Sequence, residues 1–216
     1  VNYRGAGTIE FLVDKYRHFY FLEMNTRLQV EHPITEEVVG VDLVKEQLHV
    51  AGGEALRFKQ EDLFQRGHAI ECRICAEDTE NGFIPCPGII RQLTEPNGIG
   101  VRIDSYVYEG YEIPLYYDPM IGKLIVWATN RQFAIERMRR VLYEFKITGL
   151  KTNISYLRRI MYAPAFVKGE YDTSFLSKYS RSLQRSNGEN EEIENMAMIA
   201  AYVDYLFNLE ENSPVR

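Results

Sequence analysis

Residues 23–36 read EMNTRLQVEHPITE, a stretch that ends a strand-like run and opens a cluster of charged side chains. The preceding residues 19–25 (FYFLEMN) and the earlier run 9–13 (IEFLV) are rich in aromatic and aliphatic residues, and the polar segment 14–18 (DKYRH) lies between them. Two such runs joined by a short polar segment are typical of a β-hairpin. The sequence therefore predicts an antiparallel hairpin that ends just before the charged cluster.

Two glutamates are predicted to face each other across this hairpin. A turn centred on Tyr16 and Arg17 puts Glu10 directly opposite Glu23, and like charges paired in this way destabilise a sheet unless a cation lies between them. Asn25 points to the same face as Glu23 and adds an amide oxygen. This set of ligands suits Mg²⁺ or Mn²⁺, which commonly bridge to phosphates. The alternative is a solvated polar face on an edge hairpin, and spacing alone does not decide between the two.

The segment directly after the hairpin concentrates polar side chains. Arg27, Gln29, Glu31 and His32 all lie within residues 26–32. The planar guanidinium of Arg27 suits a small oxyanion such as bicarbonate or phosphate, and Glu31 could act as a general base. The alternative is an Arg27–Glu31 ion pair that holds a turn, and spacing alone favours that alternative.

Two short helices are predicted next, at residues 35–39 and 42–50. Thr35 and Asp42 are the predicted N-caps, because short polar side chains accept hydrogen bonds from the first turn of a helix. The glycines at 52–53 are the predicted stop of the second helix.

A second unit is predicted beyond the polar segment 54–65. Its predicted elements are four strands followed by two helices, at residues 68–76, 88–93, 100–105, 121–128, 131–145 and 154–162. Residues 180–190 read as a polar linker, and residues 191–209 as an acidic amphipathic helix. The predicted fold class is α+β.

Composition narrows the class of protein. The chain of 216 residues carries a formal net charge of −6, with 45% hydrophobic and 26% charged residues, as in ordinary soluble globular proteins. The acidic balance disfavours nucleic acid and membrane surfaces as partners, and no apolar run approaches the roughly 18 residues of a membrane span. The chain opens on Val1 without a signal-peptide pattern, so we expect a piece of a longer protein.

The three cysteines favour a reducing, cytoplasmic setting, since they are odd in number and too few for a disulfide scaffold. Cys72 and Cys75 form a single C-x-x-C pattern, which could indicate a metal or redox pair. Residues 69–76 read as a strand, however, where positions three apart point to opposite faces. We therefore predict two small buried thiols.

Residues 10–12 (EFL) and 23–36 together resemble the signature of biotin carboxylases, which belong to the ATP-grasp superfamily. The shorter Glu-x-Asn-x-Arg pattern also occurs in carbamoyl-phosphate synthetases and other ATP-grasp ligases, whereas the RLQVEHP extension is more specific to biotin carboxylases. The resemblance covers roughly residues 3–179 and continues through RGHAIECRI, FIPCPG, GVR and YYDPMIGKL, at residues 66–74, 83–88, 100–102 and 116–124.

This resemblance implies a domain organisation. Residues 1–53 would be the C-terminal end of an ATP-grasp domain, made of a β-hairpin and short helices, and 54–65 a linker. Residues 66–179 would be the biotin carboxylase C-terminal domain, an antiparallel sheet with packed helices. Residues 180–216 would be a polar linker and an amphipathic helical tail.

The resemblance also implies residue roles at the hairpin. Glu10, Glu23 and Asn25 would hold the divalent ions on the ATP phosphates. Glu10, Leu12 and Glu23 would bind the nucleotide itself.

A second set of implied roles concerns bicarbonate and biotin. Arg27, Gln29 and the backbone of Val30 would bind bicarbonate, with Arg27 also taking part in catalysis. Glu31 would be the base that deprotonates bicarbonate. Arg102 would bind biotin and stabilise its enolate, although without the resemblance Arg102 would read as a surface arginine at a strand end.

The implied activity is ATP- and bicarbonate-dependent carboxylation of the biotin on a carrier protein, through carboxyphosphate, as in an acyl-CoA carboxylase of fatty acid biosynthesis. Implied partners are the biotin carboxyl carrier, a carboxyltransferase and a second copy in a homodimer. Nothing resembles the family's glycine-rich phosphate loop, so we expect the chain alone to be inactive. Asp118 and Lys123 read as structural. The alternatives are another carbon–nitrogen ATP-grasp ligase and a non-catalytic dimerisation or assembly module.

Overall fold

The computed structural model describes residues 2–184 together with Met196, Met198, Ile199 and Tyr202. The chain divides into two compact units, Val1–Glu170 and Tyr171–Arg216. Within the residues that the structure describes, no helix is long and apolar enough to cross a membrane.

The first unit combines antiparallel strands with five α-helices among its described residues, which confirms the α+β class. Its strands are β1 (Thr8–Val13), β2 (Phe19–Asn25), β3 (His68–Cys75), β4 (Glu77–Asp78), β5 (Ile84–Pro85), β6 (Gly88–Ile89), β7 (Gln92–Thr94), β8 (Val101–Ser105), β9 (Glu112–Ile113), β10 (Met120–Ala128) and β11 (Lys146–Thr148). Its helices are α1 (His32–Val39), α2 (Leu43–Ala51), α3 (Arg131–Glu144), α4 (Ile154–Tyr162) and α5 (Pro164–Lys168), with a 3₁₀ turn at Gln60–Asp62.

Strands β1 and β2 form the predicted hairpin, with Glu10 paired to Glu23 as expected. The pairing then shifts by one residue, because Phe11 pairs with Phe21 and Leu22 is left as the extra residue of a β-bulge. The bulge was not predicted. It separates the register near the turn from the register at the two glutamates.

The hairpin turn is centred on Tyr16, so the predicted centre between Tyr16 and Arg17 is wrong by half a residue. The Asp14 side chain sets the loop, because its Oδ1 accepts hydrogen bonds from the backbone N–H groups of Tyr16 at 2.8 Å and His18 at 2.9 Å. Arg17 takes the left-handed conformation, with φ 68°. The bulge compensates for this shift, and the two glutamates still pair.

Helix α1 begins three residues before the predicted N-cap. Glu31 is its N-cap and Pro33 lies in its first turn, where the missing N–H of proline costs nothing, so the prediction that Thr35 caps the helix is wrong. The predicted cap of α2 is confirmed, since Asp42 Oδ1 accepts from Lys45 N at 2.8 Å. Helix α2 ends at Ala51, one residue beyond the predicted end, and Gly52 is its C-cap, which confirms the predicted glycine stop.

A three-stranded antiparallel sheet, in the order β3-β10-β8, supports the rest of the first unit. One face is apolar and carries Ile74, Leu124 and Val126, all fully buried against the stripe of α3. That stripe repeats with helical spacing at Ala134, Ile135, Met138, Val141 and Leu142. The opposite face carries charged residues and packs against α1.

The predicted single strand at residues 88–93 is wrong, because the chain changes partner in its middle. Strand β6 pairs with β9, whereas β7 pairs with β11. Between them, the N–H of Ile90 donates to Tyr111 O at 2.9 Å and the N–H of Arg91 to Thr148 O at 2.8 Å. Two short pairings therefore replace one long strand.

Polar side chains anchor the segment that leads into α4. Asn153 accepts from Cys75 N at 2.9 Å and donates to Arg73 O at 3.0 Å, which ties this segment to β3. Lys151 donates to the buried carboxylate of Asp78 at 2.5 Å. This hydrogen bond, followed by one from Asn81, lowers the pKa of Asp78 to about 2.

The cysteines are free thiols, and burial raises the pKa of both Cys72 and Cys75 to about 12. Cys72 is fully buried, as predicted, whereas Cys75 is only half-buried. A raised pKa disfavours the thiolate that redox chemistry and metal binding need. The prediction of two buried thiols is therefore confirmed for Cys72 and wrong for Cys75, which is partly exposed at the end of β3.

In the second unit the structure describes helix α6 (Phe175–Gln184), so residues 180–184 of the predicted linker are helical. Apolar residues recur along α6 at Phe175, Tyr179 and Leu183, a spacing of one helical turn. The predicted helix at 191–209 lies outside the described residues apart from four helical positions. The domain boundaries stay predictions.

Candidate functional site

The hairpin brings together the three predicted metal ligands. Asn25 Nδ2 donates to Glu10 Oε1 at 2.8 Å and lies 3.4 Å from Glu23 Oε1, so both carboxylates converge on the amide group. The amide N–H group of Asn25 thus contacts both carboxylates, as a cation shared by Glu10 and Glu23 would do. Rotation of the amide by a half turn would present its oxygen instead, which gives the donor set that Mg²⁺ accepts.

This set of residues is incomplete as a metal site. Among the described residues no group of three or more His, Cys, Asp and Glu side chains could hold a metal. Two carboxylates and one amide would need phosphate oxygens and water to complete six-coordinate geometry around Mg²⁺. The residues therefore fit a cation that is held jointly with a nucleotide. Leu12, the predicted nucleotide contact, is 59% exposed on β1.

The turn after the hairpin is held by its own side chains. Arg27 Nη1 donates to Gln29 Oε1 at 3.0 Å and to Leu28 O at 3.1 Å. Gln29 O lies 2.8 Å from His32 Nδ1 and accepts from the backbone N–H of His32 at 3.2 Å. Arg27 and Gln29, both predicted to bind bicarbonate, therefore lie side by side.

Glu31 forms an ion pair with an arginine that the sequence did not indicate. Its Oε2 is 2.9 Å from Arg73 Nη2, across 42 residues of sequence, and about half of each side chain is exposed. The alternative Arg27–Glu31 ion pair is not among the ion pairs of the described residues. One signal could have found Arg73, because Glu71 and Arg73 are charged positions that flank the buried Cys72 on a strand.

Lys123 joins the turn to the sheet. Its Nζ donates to Val30 O at 3.1 Å and lies 3.3 Å from Asp104 Oδ2, with the side chain only 12% exposed. Within the sheet, Lys123 of β10 is paired with both Arg73 of β3 and Asp104 of β8. The polar face of the sheet thus contacts the turn at Val30, through Lys123.

Arg102 lies on the same face but is directed at carboxylates. It donates from Nε and Nη2 to Asp104 at 2.7 and 3.0 Å, and from Nη1 to Glu36 at 2.6 Å. The hydrogen bond to Asp104 and then that to Glu36 raise the already high pKa of Arg102. Arg102 borders an open cleft of about 480 Å³ whose other lining residues are Glu36, Glu37, Gly40, Val41, Asp42 and Val44.

A second carboxylate lies near the Glu31–Arg73 pair. Glu71 Oε2 is buried and has no hydrogen-bond partner in the described part of the chain. Burial raises the pKa of Glu71, and the positive charges of Lys123 and Arg73 oppose that shift. Glu71 is therefore part of the electrostatic environment of the site, although the sequence did not single it out.

The hairpin with its two carboxylates and the turn that carries Arg27 and Glu31 are the segments in which the sequence resembles ATP-grasp ligases. Residues 1–59 match the carbamoyl-phosphate synthase L chain ATP-binding domain, and residues 71–178 match the biotin carboxylase C-terminal domain. The chain belongs to the biotin carboxylase C-terminal domain family, which confirms the predicted resemblance. Another ATP-grasp ligase would not account for the second match.

Named relatives agree with this assignment. The chain is 56% identical over 181 residues to a biotin carboxylase of Nostoc sp., covering 84% of the chain and 40% of the relative. It is 51% identical over 180 residues to biotin carboxylase 1 of Bacillus subtilis, covering 83% of the chain and 40% of the relative. The chain therefore spans about 40% of the length of each of these relatives.

A solved structure has the same fold. It is the biotin carboxylase domain dimer of Hydrogenobacter thermophilus 2-oxoglutarate carboxylase, in complex with MgADP, ADP and bicarbonate. The TM-score is 0.81 at 45% identity, covering 85% of this chain and 40% of the other.

Proposed function

We propose that the full-length protein containing this chain carboxylates biotin on a carrier protein, using ATP, Mg²⁺ or Mn²⁺, and bicarbonate. The observation that carries the proposal is the Glu31–Arg73 pair, whose Glu31 lies in the same short segment as the Arg27–Gln29 hydrogen bond, directly after the hairpin. The ligands of the 2-oxoglutarate carboxylase domain, MgADP and bicarbonate, support the same substrates.

Each proposed role follows from the chemistry of the side chain. Arg27, Gln29 and the backbone of Val30 would hold bicarbonate, and Glu31 would accept its proton. The freed oxygen attacks the γ-phosphorus of ATP, the bond to the bridging oxygen breaks, and ADP leaves as carboxyphosphate forms.

At the hairpin, Glu10, Glu23 and Asn25 would hold the cation, and Glu10, Leu12 and Glu23 would contact the nucleotide. The bound cation would neutralise charge that develops on the phosphates. The chain's own contribution is to hold the carboxylates in position, since Asn25 already bridges them.

Two arginines are candidates for stabilising the biotin enolate. The resemblance assigns this role to Arg102, whose hydrogen bonds go to Asp104 and Glu36. Arg73 contacts the proposed base, and in the described part of the chain its side chain has that single hydrogen bond. The contact with Glu31 favours Arg73, because an arginine there can act on a substrate that the base also reaches.

The proposed partners are the biotin carboxyl carrier, a carboxyltransferase and a second copy of the chain, in the cytoplasm. The dimeric 2-oxoglutarate carboxylase domain supports the homodimer. The acceptor of the carboxyl group would be chosen by the carboxyltransferase. Acetyl-CoA, as in fatty acid biosynthesis, is one acceptor within this proposal.

Bicarbonate-dependent ATP cleavage and free-biotin carboxylation by the full-length protein test the proposal. Glu31→Gln should reduce both by at least about 10²-fold, the low end of general-base effects, whereas the exposed-surface control Glu61→Gln should be normal. The chain of residues 1–216 alone should be inactive. If the wild-type protein cleaves ATP at the same rate with and without bicarbonate, the proposed function is refuted.

The same assay separates the two arginines. Removal of one electrostatic stabiliser typically costs about 10²–10³ in rate. We expect Arg73→Ala to lose carboxylation by that factor while ATP binding is retained. If Arg102→Ala shows that loss and Arg73→Ala does not, the enolate role belongs to Arg102.

A further inference from the structure

The Lys123 ammonium group lies at a junction between the sheet and the proposed bicarbonate segment. A charged group that is only 12% exposed is costly unless it is paired and hydrogen-bonded. Lys123 meets both conditions, with Asp104 Oδ2 at 3.3 Å and Val30 O at 3.1 Å. The ion pair offsets the charge, and the bond to Val30 satisfies a further N–H donor of the ammonium group while joining the sheet to residues 27–31.

That bond acts on the backbone next to the proposed base. The carbonyl of Val30 and the N–H of Glu31 belong to one planar peptide unit, so a donor on the carbonyl restricts the orientation of the whole unit. The side chain of Glu31 leaves the chain directly after it and ends 2.9 Å from Arg73. Lys123 therefore restricts where the Glu31 carboxylate can lie.

The preceding peptide unit is fixed from within the turn. Gln29 O is held by the backbone N–H of His32 at 3.2 Å and lies 2.8 Å from its Nδ1. In a trans peptide the N–H points away from the carbonyl, so the N–H of Val30 must point away from His32. Two consecutive peptide units are thus held by separate donors, one local and one from the sheet.

We propose that Lys123 is a positioning residue for bicarbonate: it fixes the Val30–Glu31 peptide unit and thereby aligns the base with the bicarbonate-binding side chains. The proposal rests on the proposed function above. Lys123 touches neither the hairpin carboxylates nor the nucleotide contacts, so its effect should fall on bicarbonate and not on ATP. A purely structural lysine would lower the amount of folded enzyme and leave both KM values unchanged.

The test uses the full-length protein and measures KM for bicarbonate, KM for ATP, and kcat. Lys123→Met removes the ammonium and keeps the aliphatic chain. Misalignment that costs bicarbonate one hydrogen bond weakens its binding by up to about tenfold, so we expect the bicarbonate KM to rise by about that factor. The ATP KM should stay within about twofold, since the metal and nucleotide contacts are untouched.

Two further variants make the result specific. Lys123→Arg keeps the charge but presents a longer planar donor, so its bicarbonate KM should lie between wild type and Lys123→Met. Lys151→Met is the control, because it removes another lysine–aspartate pair of the same unit, Lys151–Asp78, and in the described part of the chain Lys151 has no hydrogen bond to residues 27–31. Its KM for bicarbonate should equal the wild-type value.

The outcomes are separable. A wild-type protein without bicarbonate-dependent ATP cleavage refutes the proposed function and this proposal with it. If the wild type is active and both Lys123→Met and Lys123→Arg have the same KM for bicarbonate as Lys151→Met, the positioning role alone is refuted. If Lys123→Met does not fold, Lys123→Arg decides, and a wild-type bicarbonate KM in that variant overturns the proposal.

Discussion

Arg102→Ala should destabilise the chain, because Arg102 connects α1 to the central sheet. The guanidinium makes two hydrogen bonds to Asp104 on its own strand and one to Glu36 on α1. The Glu36 side chain is 9% exposed, whereas that of Arg102 is 32% exposed. Truncation therefore leaves a nearly buried carboxylate without its cation.

The magnitude follows from these contacts. Removing one partner of a fully buried ion pair costs about 3–5 kcal/mol. Water can reach the truncated site, and Glu36 keeps its hydrogen bond from Leu43 N at 2.8 Å while Asp104 keeps Lys123. Both effects reduce the penalty, and we expect a loss of about 2 kcal/mol in the free energy of unfolding.

Urea unfolding of the chain, followed by circular dichroism, measures this loss as a shift in midpoint. Arg140→Ala is the matched control, since it removes an exposed helix pair with Glu144, in which the side chains are 45% and 40% exposed. That pair should contribute at most about 0.5 kcal/mol. Equal midpoints for the two variants would refute the reasoning, because Arg102 would then not join the helix to the sheet.

Three other results are expected. Titration with Mn²⁺ should broaden NMR signals around the hairpin first, and the affinity should be about millimolar or weaker because no phosphate is present. The double variant Glu10→Gln/Glu23→Gln should abolish the broadening, and unchanged broadening would show that neither residue binds the metal. At pH 8, iodoacetamide should modify the partly exposed Cys86 before Cys72, whose pKa is raised to about 12 by burial. Equal modification rates for the two cysteines, measured by mass spectrometry, would contradict that burial. The pKa of Asp78 is lowered from 3.8 to about 2 by its hydrogen-bonded lysine, so its contribution to stability is complete above about pH 4 and is lost as the pH falls towards 2. Acid unfolding of Asp78→Asn should lack this part of the pH dependence, and wild-type and variant curves that superimpose would disprove this contribution.

The hairpin illustrates what local sequence can predict. Aromatic and aliphatic content with a polar turn identified both strands. The assumed turn centre predicted that Glu10 pairs with Glu23, and the repulsion between facing glutamates pointed to a cation between them. The bulge at Leu22 could not be read from the pattern, because a bulge preserves the composition of both strands. The start of α1 was missed because Thr35 was chosen as the N-cap, which left Pro33 outside the helix, whereas proline is well tolerated in a first turn.

The site was harder to predict because its contacts span long stretches of sequence. Arg27 and Gln29 lie two residues apart, and their proximity follows from the chain itself. Arg73 reaches Glu31 across 42 residues, and Lys123 reaches Val30 across 93 residues. Such pairs depend on how α1 lies against the sheet, which no periodicity encodes.

The bulge in the hairpin has a geometric consequence for the two glutamates. A chain lacking Leu22 could keep the pairs Phe11–Phe21 and Glu10–Glu23, now as consecutive rungs of one uninterrupted ladder. What it would lose is the extra right-handed twist that a bulge adds. The two carboxylates would then remain neighbours, but both would point in a different direction. Leu22 thus determines the direction in which the pair points, whereas the register determines which residues are paired.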